Sequence, residues 1–285
     1  MKTIASIRSL QKILSLYAGQ KRIGLVPTMG AFHEGHLALM RVAKQECDIV
    51  VVSLFVNPLQ FAPSEDFTRY PRDLAEDCKM AKSVGVDFLF VPSAKEIAPP
   101  DLETTISVNA VSQRWEGASR PTHFQGVATI VAKLFQIVKP DRAYFGQKDY
   151  QQTVVIRKMV KDLHFDLTLR ILPTIREGAQ SGAKGLAKSS RNQYLSESER
   201  ASATVLYRAL CHVKQRVKKG ERDCIVLQKE AMAMITSESI VRPDYIAFCD
   251  PDTLEPVIKI SGKTVLLLAV KLGSVRLIDN IVLRP

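Results

Sequence analysis

RIGLVPTMGAFHEGHLALM, residues 22–40, decides the fold. Its opening stretch, 22–27, carries Ile23, Leu25 and Val26 without polar alternation, the mark of a strand covered on both faces. Gly30 and Gly35 then interrupt it, and from residue 36 to 47 the apolar spacing becomes helical. A buried strand entering a helix through a glycine-containing turn is the repeating unit of a parallel α/β sheet. The same turn is where unpaired backbone N–H groups and the helix dipole favour an anion.

Working outward, strand-like runs recur at 48–56, 85–92, 141–146 and 166–173, and helical spacing at 123–138 and 149–163. A further helix is expected from Pro71 to about residue 83, since proline suits a first helical turn. Pro140 closes the helix before it. This alternation predicts a mostly parallel sheet flanked by helices, with ligands collecting outside the carboxyl ends of the strands. At the amino end, 1–22 is basic and acid-free, as in some transit peptides. Ile4, Ile7, Leu10, Ile13, Leu14 and Tyr17 nevertheless share one face, which favours an amphipathic first helix. After Pro173 the texture changes to a Gly-, Ser- and Ala-rich loop. Ser196 with Glu199 reads as a capping box opening a helix to about Lys218. A second helix and strands at 243–249, 264–272 and 275–280 follow, the last two joined by Gly273-Ser274. The expected organisation is a domain of residues 1–176 and a smaller α+β lid domain, 177–285.

Composition narrows the class. The 285 residues are 46% hydrophobic and 24% charged, ordinary globular values that exclude a disordered chain. Lys and Arg outnumber Asp and Glu 40 to 29, for a net charge of +11. The excess is spread along the chain, which disfavours nucleic acid as partner and suits small anions. Five cysteines, without a CxxC pair, fit neither a disulfide framework nor a zinc finger and point to a reducing compartment, the cytoplasm. No apolar run reaches the ~18–20 residues a membrane span needs.

Four segments carry candidate chemistry. In the 27–40 turn, His33 and His36 lie three apart, so on a helical turn their rings share one face. They could donate to phosphate oxygens, pack, or bind zinc; HEGH is not the i,i+4 HExxH arrangement, and no third ligand is evident. In SLFVNPLQF (53–61), Asn57-Pro58 halts a strand and Gln60 offers a donor and an acceptor to a polar substrate. In YFGQKDYQQ (144–152), Gly146 permits close approach, Lys148 can reach phosphate, Asp149 a ribose or a metal-bound phosphate, and Gln152 points back from the next helix. In GLAKSSRNQYLS (185–196), Ser189, Ser190 and Arg191 make an anion clamp. GAKGLAKS (182–189) comes close to a phosphate-binding loop, but Ala187 stands where its second glycine belongs.

The ordered set PTMGAFHEGH, SLFVNPLQF, YPR, WEGASRPTHFQGV, FGQKDYQQ, SSRNQYLS and RLIDN resembles the pantoate–β-alanine ligase (pantothenate synthetase) family nearly end to end. The resemblance implies a doubly wound, Rossmann-like nucleotide-binding domain with a smaller C-terminal domain. It also implies ATP-dependent condensation of (R)-pantoate with β-alanine through pantoyl adenylate, releasing AMP and pyrophosphate, by a cytoplasmic homodimer. By the same resemblance Met29, Gly30, Ala31, Phe32, His33, Glu34, Gly35 and His36 cradle ATP, with His36 as proton donor. Gly146, Gln147, Lys148 and Asp149 continue the nucleotide site, Ile175 touches adenine, and Lys188, Ser189, Ser190 and Arg191 close on phosphate. Gln60 and Gln152 hold pantoate, Gln60 also lines the β-alanine site, Asn57 supports them, and Asp77 is an outer contact. Mg²⁺ arrives on ATP, held mainly by its phosphates. Two features depart from the family pattern: seven residues, Gly178–Lys184, separate Arg176-Glu177 from Gly185, and lysines replace an acidic residue at Lys184 and an apolar one at Lys188. The expected consequence is altered hinging of the C-terminal domain.

Overall fold

A computed structural model describes residues 1–63 and 65–285. The chain divides into two compact units, residues 1–146 with 155–172, and residues 147–154 with 173–285.

The first unit is built on a six-stranded, all-parallel sheet of β1 (Lys2–Ile4), β2 (Ile23–Thr28), β3 (Ile49–Leu54), β4 (Phe88–Phe90), β5 (Arg142–Gly146) and β6 (Thr168–Leu172). Its order is β1-β4-β3-β2-β5-β6, so the chain winds outward from β2 through β3 and β4 and then from β5 to β6. That reversal lies between β2 and β5, and ligands of such sheets collect beside it at the carboxyl ends of the strands. Side chains on successive strand residues are sealed from water, Leu25 with Val26 and Val51 with Val52, as a sheet with helices on both faces requires. On one face Val26, Val50, Val52, Leu89 and Tyr144 form a core with Leu37, Met40 and Ala43 of the helix Glu34–Glu46. The architecture is the expected α/β Rossmann-like domain.

Two local expectations are corrected. Ile4 belongs to a strand, not to the first helix: Lys2–Ile4 pairs with Phe88–Phe90, and the helix runs Ile7–Leu14 from the cap Ser6. Pro71 does not open its helix, which runs Leu74–Ser83 because the Asp73 carboxylate accepts from Glu76 N–H at 2.9 Å and fixes the start three residues later.

The second unit carries an antiparallel meander of β7 (Val241–Cys249), β8 (Thr264–Leu272) and β9 (Val275–Leu283). The helices Val205–Lys218 and Cys224–Thr236 contribute Leu206, Leu210, Val213 and Leu227 to a core shared with Leu266, Leu268 and Val270. Ser196 and Glu199 form the capping box read from the sequence. It opens the short helix Glu197–Ala203, and a break at Thr204 separates that helix from Val205–Lys218. Among the described residues no helix is long and apolar enough to cross a membrane.

Candidate active site

The turn after β2 is held by one buried carboxylate. Asp77, only 2% exposed, accepts from Ala31 N–H at 2.9 Å and from Phe32 N–H at 2.7 Å. Burial pushes its carboxyl above the usual range, against the pull of those two donors. Asp77 therefore shapes the turn from behind. Gly30 has φ +85°, and a Cβ there would come within 2.9 Å of the Asp77 carboxylate, so a side chain is excluded by backbone and space alike. Ala31 also takes a positive φ, +51°, while Phe32 drops into the core and ties the turn down.

His33 is the N-cap of the helix Glu34–Glu46, and His36 is its third residue. His33 Nδ1 accepts from Gly35 N–H at 3.1 Å, and His36 Nδ1 accepts from His33 N–H at 3.3 Å, a capping box built from two imidazoles. The rings stack with centroids 4.1 Å apart. A ring whose Nδ1 accepts a hydrogen bond is neutral and carries its proton on Nε2. The geometry thus assigns both histidines the same tautomer, each a donor at Nε2. This use of both Nδ1 atoms leaves packing and capping roles satisfied while keeping a pair of donors at a helix N-terminus. Among the described residues no group of three or more His, Cys, Asp or Glu is arranged to hold a metal.

The turn after β3 meets this one. Gln60 Nε2 lies 3.1 Å from Met29 Sδ, and Gln60 Oε1 accepts from Asn57 Nδ2 at 3.0 Å. Asn57, buried, caps the turn Pro58–Gln60 by accepting from Leu59 N–H at 3.1 Å. Met29, His33, His36, Asn57 and Gln60 therefore belong to two adjoining turns at the carboxyl ends of neighbouring strands.

In the second unit, Gln147–Asp149 form a single helical turn directly after Gly146. Asn280 of β9, buried, donates to the carbonyls of Gln147 (2.8 Å) and Lys148 (2.9 Å) and accepts from Gln147 Nε2 at 3.2 Å. Lys148 Nζ lies 3.3 Å from Asp149 Oδ1. Gln152 sits half-buried in the helix Tyr150–Asp162. Ile175 and Lys188 adjoin in an antiparallel stem, with Lys188 N–H donating to Ile175 O at 2.9 Å and Glu177 N–H to Leu186 O at 2.8 Å. The seven residues Gly178–Lys184 form the tip of this hairpin, whose stem leads on to Ser189, Ser190 and Arg191. Ala187 pairs with Arg176 in the stem, so GAKGLAKS does not link a strand to a helix as a phosphate-binding loop would. Lys188 Nζ is 2.7 Å from Glu177 Oε2, and Arg200 bonds Glu177 Oε1 at 3.1 Å. Ser189 caps the turn Ser190–Tyr194.

Sequence reading missed Asp279 and Asn280. Asp279, buried, takes the Arg176 guanidinium in a two-pronged pair at 2.6 and 2.8 Å, while Arg176 also stacks over Tyr207 at 4.3 Å. Their signal was the Asp-Asn pair in RLIDN, polar residues side by side between the apolar Ile278 and Ile281.

A parallel α/β sheet with a two-histidine turn at the carboxyl end of its switch-point strand belongs to the Rossmann-like class. The family model for pantoate-beta-alanine ligase matches residues 1–282, and the chain belongs to that family of ligases. It is 50% identical to the pantothenate synthetase of Caldicellulosiruptor bescii over 99% of both chains. With that of Moorella thermoacetica it shares 49% identity over 99% of this chain and 98% of the other. Among solved structures, the pantothenate synthetase of Thermus thermophilus matches with a TM-score of 0.93 at 43% identity, covering all of both chains. The Francisella tularensis pantoate-beta-alanine ligase, complexed with beta-gamma ATP and beta-alanine, matches with a TM-score of 0.79 at 34% identity over 99% and 97% of the chains.

Proposed function

We propose that this ligase joins (R)-pantoate to β-alanine in two steps. In the first, a pantoate carboxylate oxygen bonds to the α-phosphorus of ATP, and the bond from that phosphorus to the bridging oxygen breaks to release pyrophosphate. In the second, the β-alanine amine forms the amide bond at the activated carbonyl, AMP leaves with the former carboxylate oxygen, and the nitrogen loses a proton. The observation that carries this reading is the paired Nε2–H tautomer of His33 and His36, since phosphoryl transfer depends on donors already aimed at developing charge. ATP and β-alanine are also what the Francisella ligase is described as binding.

Met29 to His36 take the triphosphate, with His36 donating to the departing pyrophosphate and His33 beside it. Gly146, Gln147, Lys148 and Asp149 take the rest of the nucleotide, Lys148 acting as a point charge, and Ile175 lies against adenine. Lys188, Ser189, Ser190 and Arg191 add phosphate donors. Gln60 and Gln152 hold pantoate, Gln60 also serves β-alanine, and Asn57 holds Gln60. Mg²⁺ enters on ATP; with no three-residue carboxylate or imidazole cluster suited to a metal among the described residues, phosphate oxygens and water are its fitting ligands. A cytoplasmic homodimer is part of the same proposal, resting on the family resemblance, and neither nucleic acid nor membrane is a partner in it.

Incubation with ATP, Mg²⁺, pantoate and β-alanine tests the reading by product. AMP and pyrophosphate, formed only when pantoate is present, are expected. ADP and phosphate, or AMP formation indifferent to pantoate, would contradict it. In His36→Ala, ATP binding should persist while single-turnover adenylate formation falls by about a hundredfold or more, the scale of one lost transition-state donor.

A further inference from the structure

The turn that carries Gln60 is moulded by a helix to which no role has been given. The helix His123–Val138 begins against it. His123 Nδ1 lies 2.9 Å from the Gln60 carbonyl oxygen, and Arg120 Nη2 donates to the same oxygen at 3.1 Å. Only Nδ1–H can serve an oxygen, so His123 is the Nδ1 tautomer and its Nε2 accepts from Arg120 Nη1 at 3.3 Å. Arg120 is itself clamped by Glu65 through two bonds of 2.6 and 2.7 Å. One turn on, a Cβ on Gly126 would stand 2.3 Å from the Leu59 carbonyl oxygen and 2.7 Å from Gln60 N, so only glycine lets the helix lie this close. The Gly126 carbonyl then accepts from Asn57 Nδ2 at 3.0 Å, the same amide nitrogen that holds Gln60 Oε1. Backbone and side chain of Gln60 are thereby fixed by one helix end, directly and through Asn57.

We propose that Arg120, His123 and Gly126 are positioning residues that aim the Gln60 amide at the carboxylic acid substrate, a reading that rests on the function proposed above. None of them need touch substrate. Their chemistry is that of a template: two donors on one carbonyl fix the peptide's tilt, and the missing Cβ fixes its depth. Loss of the template should cost the acid substrate the worth of about one hydrogen bond and leave the nucleotide untouched, because the histidine turn is braced separately by Asp77.

Pantoate-dependent ATP–pyrophosphate exchange in wild type, His123→Ala, His123→Asn and Arg120→Lys tests this. His123→Ala should raise the apparent KM for pantoate roughly three- to tenfold with KM for ATP within about twofold. His123→Asn, whose amide nitrogen takes the place of Nδ1, should restore most of the loss. Arg120→Lys keeps the charge but cannot hold Glu65 and the Gln60 carbonyl together, and should repeat the selective rise even if His123→Ala fails to fold. An unchanged pantoate KM in folded variants, an equal rise for ATP and pantoate, or a defect that Asn leaves unrelieved would overturn the assignment while the function stands. Absence of pantoate-dependent exchange in wild type would overturn the function itself.

Discussion

The histidine turn of the first unit and the hairpin stem of the second both offer groups suited to phosphate, yet they are held by different forces. Asp77 works from inside the sheet's core, through two backbone donors, with no solvent to compete. Glu177 works through two long cations, Lys188 and Arg200, whose side chains remain about 30% exposed. The first arrangement sets backbone geometry and tolerates almost no displacement. The second can exchange one anionic partner for another, since a carboxylate and a phosphate compete for the same ammonium group. The difference is between a turn fixed by buried backbone bonds and a stem held by ion pairs that water can reach.

Breaking the rigid side should cost most. Asp77→Ala strips the acceptor from two N–H groups and should lower stability by about 2–4 kcal/mol. Pantoate-dependent exchange should fall by roughly a hundredfold as the histidine rings lose their aim. Urea unfolding and the exchange assay measure the two effects, and near-wild-type values for both would end the claim that Asp77 shapes the turn.

Gly30→Ala attacks the same turn more gently. A positive φ and a 2.9 Å approach to Asp77 should together cost about 1–3 kcal/mol, with exchange reduced roughly tenfold. A variant as stable as wild type would show that the turn relaxes freely.

Glu177→Gln sharpens the contrast from the other side. Lys188 and Arg200 lose an opposing charge at a largely buried carboxylate, so stability should drop by about 1 kcal/mol. KM for ATP should move less than about fivefold and the exchange kcat less than about twofold. A loss as large as that of Asp77→Ala would erase the distinction between the two regions.

The smallest effect at neutral pH belongs to His123, and it grows only in acid. Burial, then the neighbouring Arg120 charge, pushes its imidazole down to about 4, whereas an unfolded histidine titrates near 6.5. Between those values the unfolded chain binds the extra proton. The stability tied to neutral His123 is therefore fully present above about 6.5 and is lost as pH falls toward 4, by up to roughly 1.4 kcal/mol per unit. His123→Asn should flatten this part of the stability–pH curve, and superimposable curves would contradict the buried neutral ring.

Much of this was legible in the chain because it is local. Apolar runs without polar alternation marked the strands around residues 23–28 and 49–54, and Ser196 with Glu199 marked a helix start, as both patterns act over a few residues. Lys2–Ile4 escaped because three residues carry no period, and their partner strand lies more than 80 residues on. Asp77, Arg120, His123, Asp279 and Asn280 act on backbone groups or side chains of distant segments, which no spacing along the chain can express. Motifs singled out a set of candidate residues; only the fold shows which residues hold them in place.

The tautomers of His33 and His36 test the central claim most directly. Proton-coupled ¹⁵N spectra of the imidazole rings at neutral pH should show both Nδ1 atoms unprotonated and both Nε2 atoms carrying hydrogen, with the Nε2 resonances shifting when ATP is added. Hydrogen on either Nδ1, or Nε2 signals that ignore the nucleotide, would contradict the account.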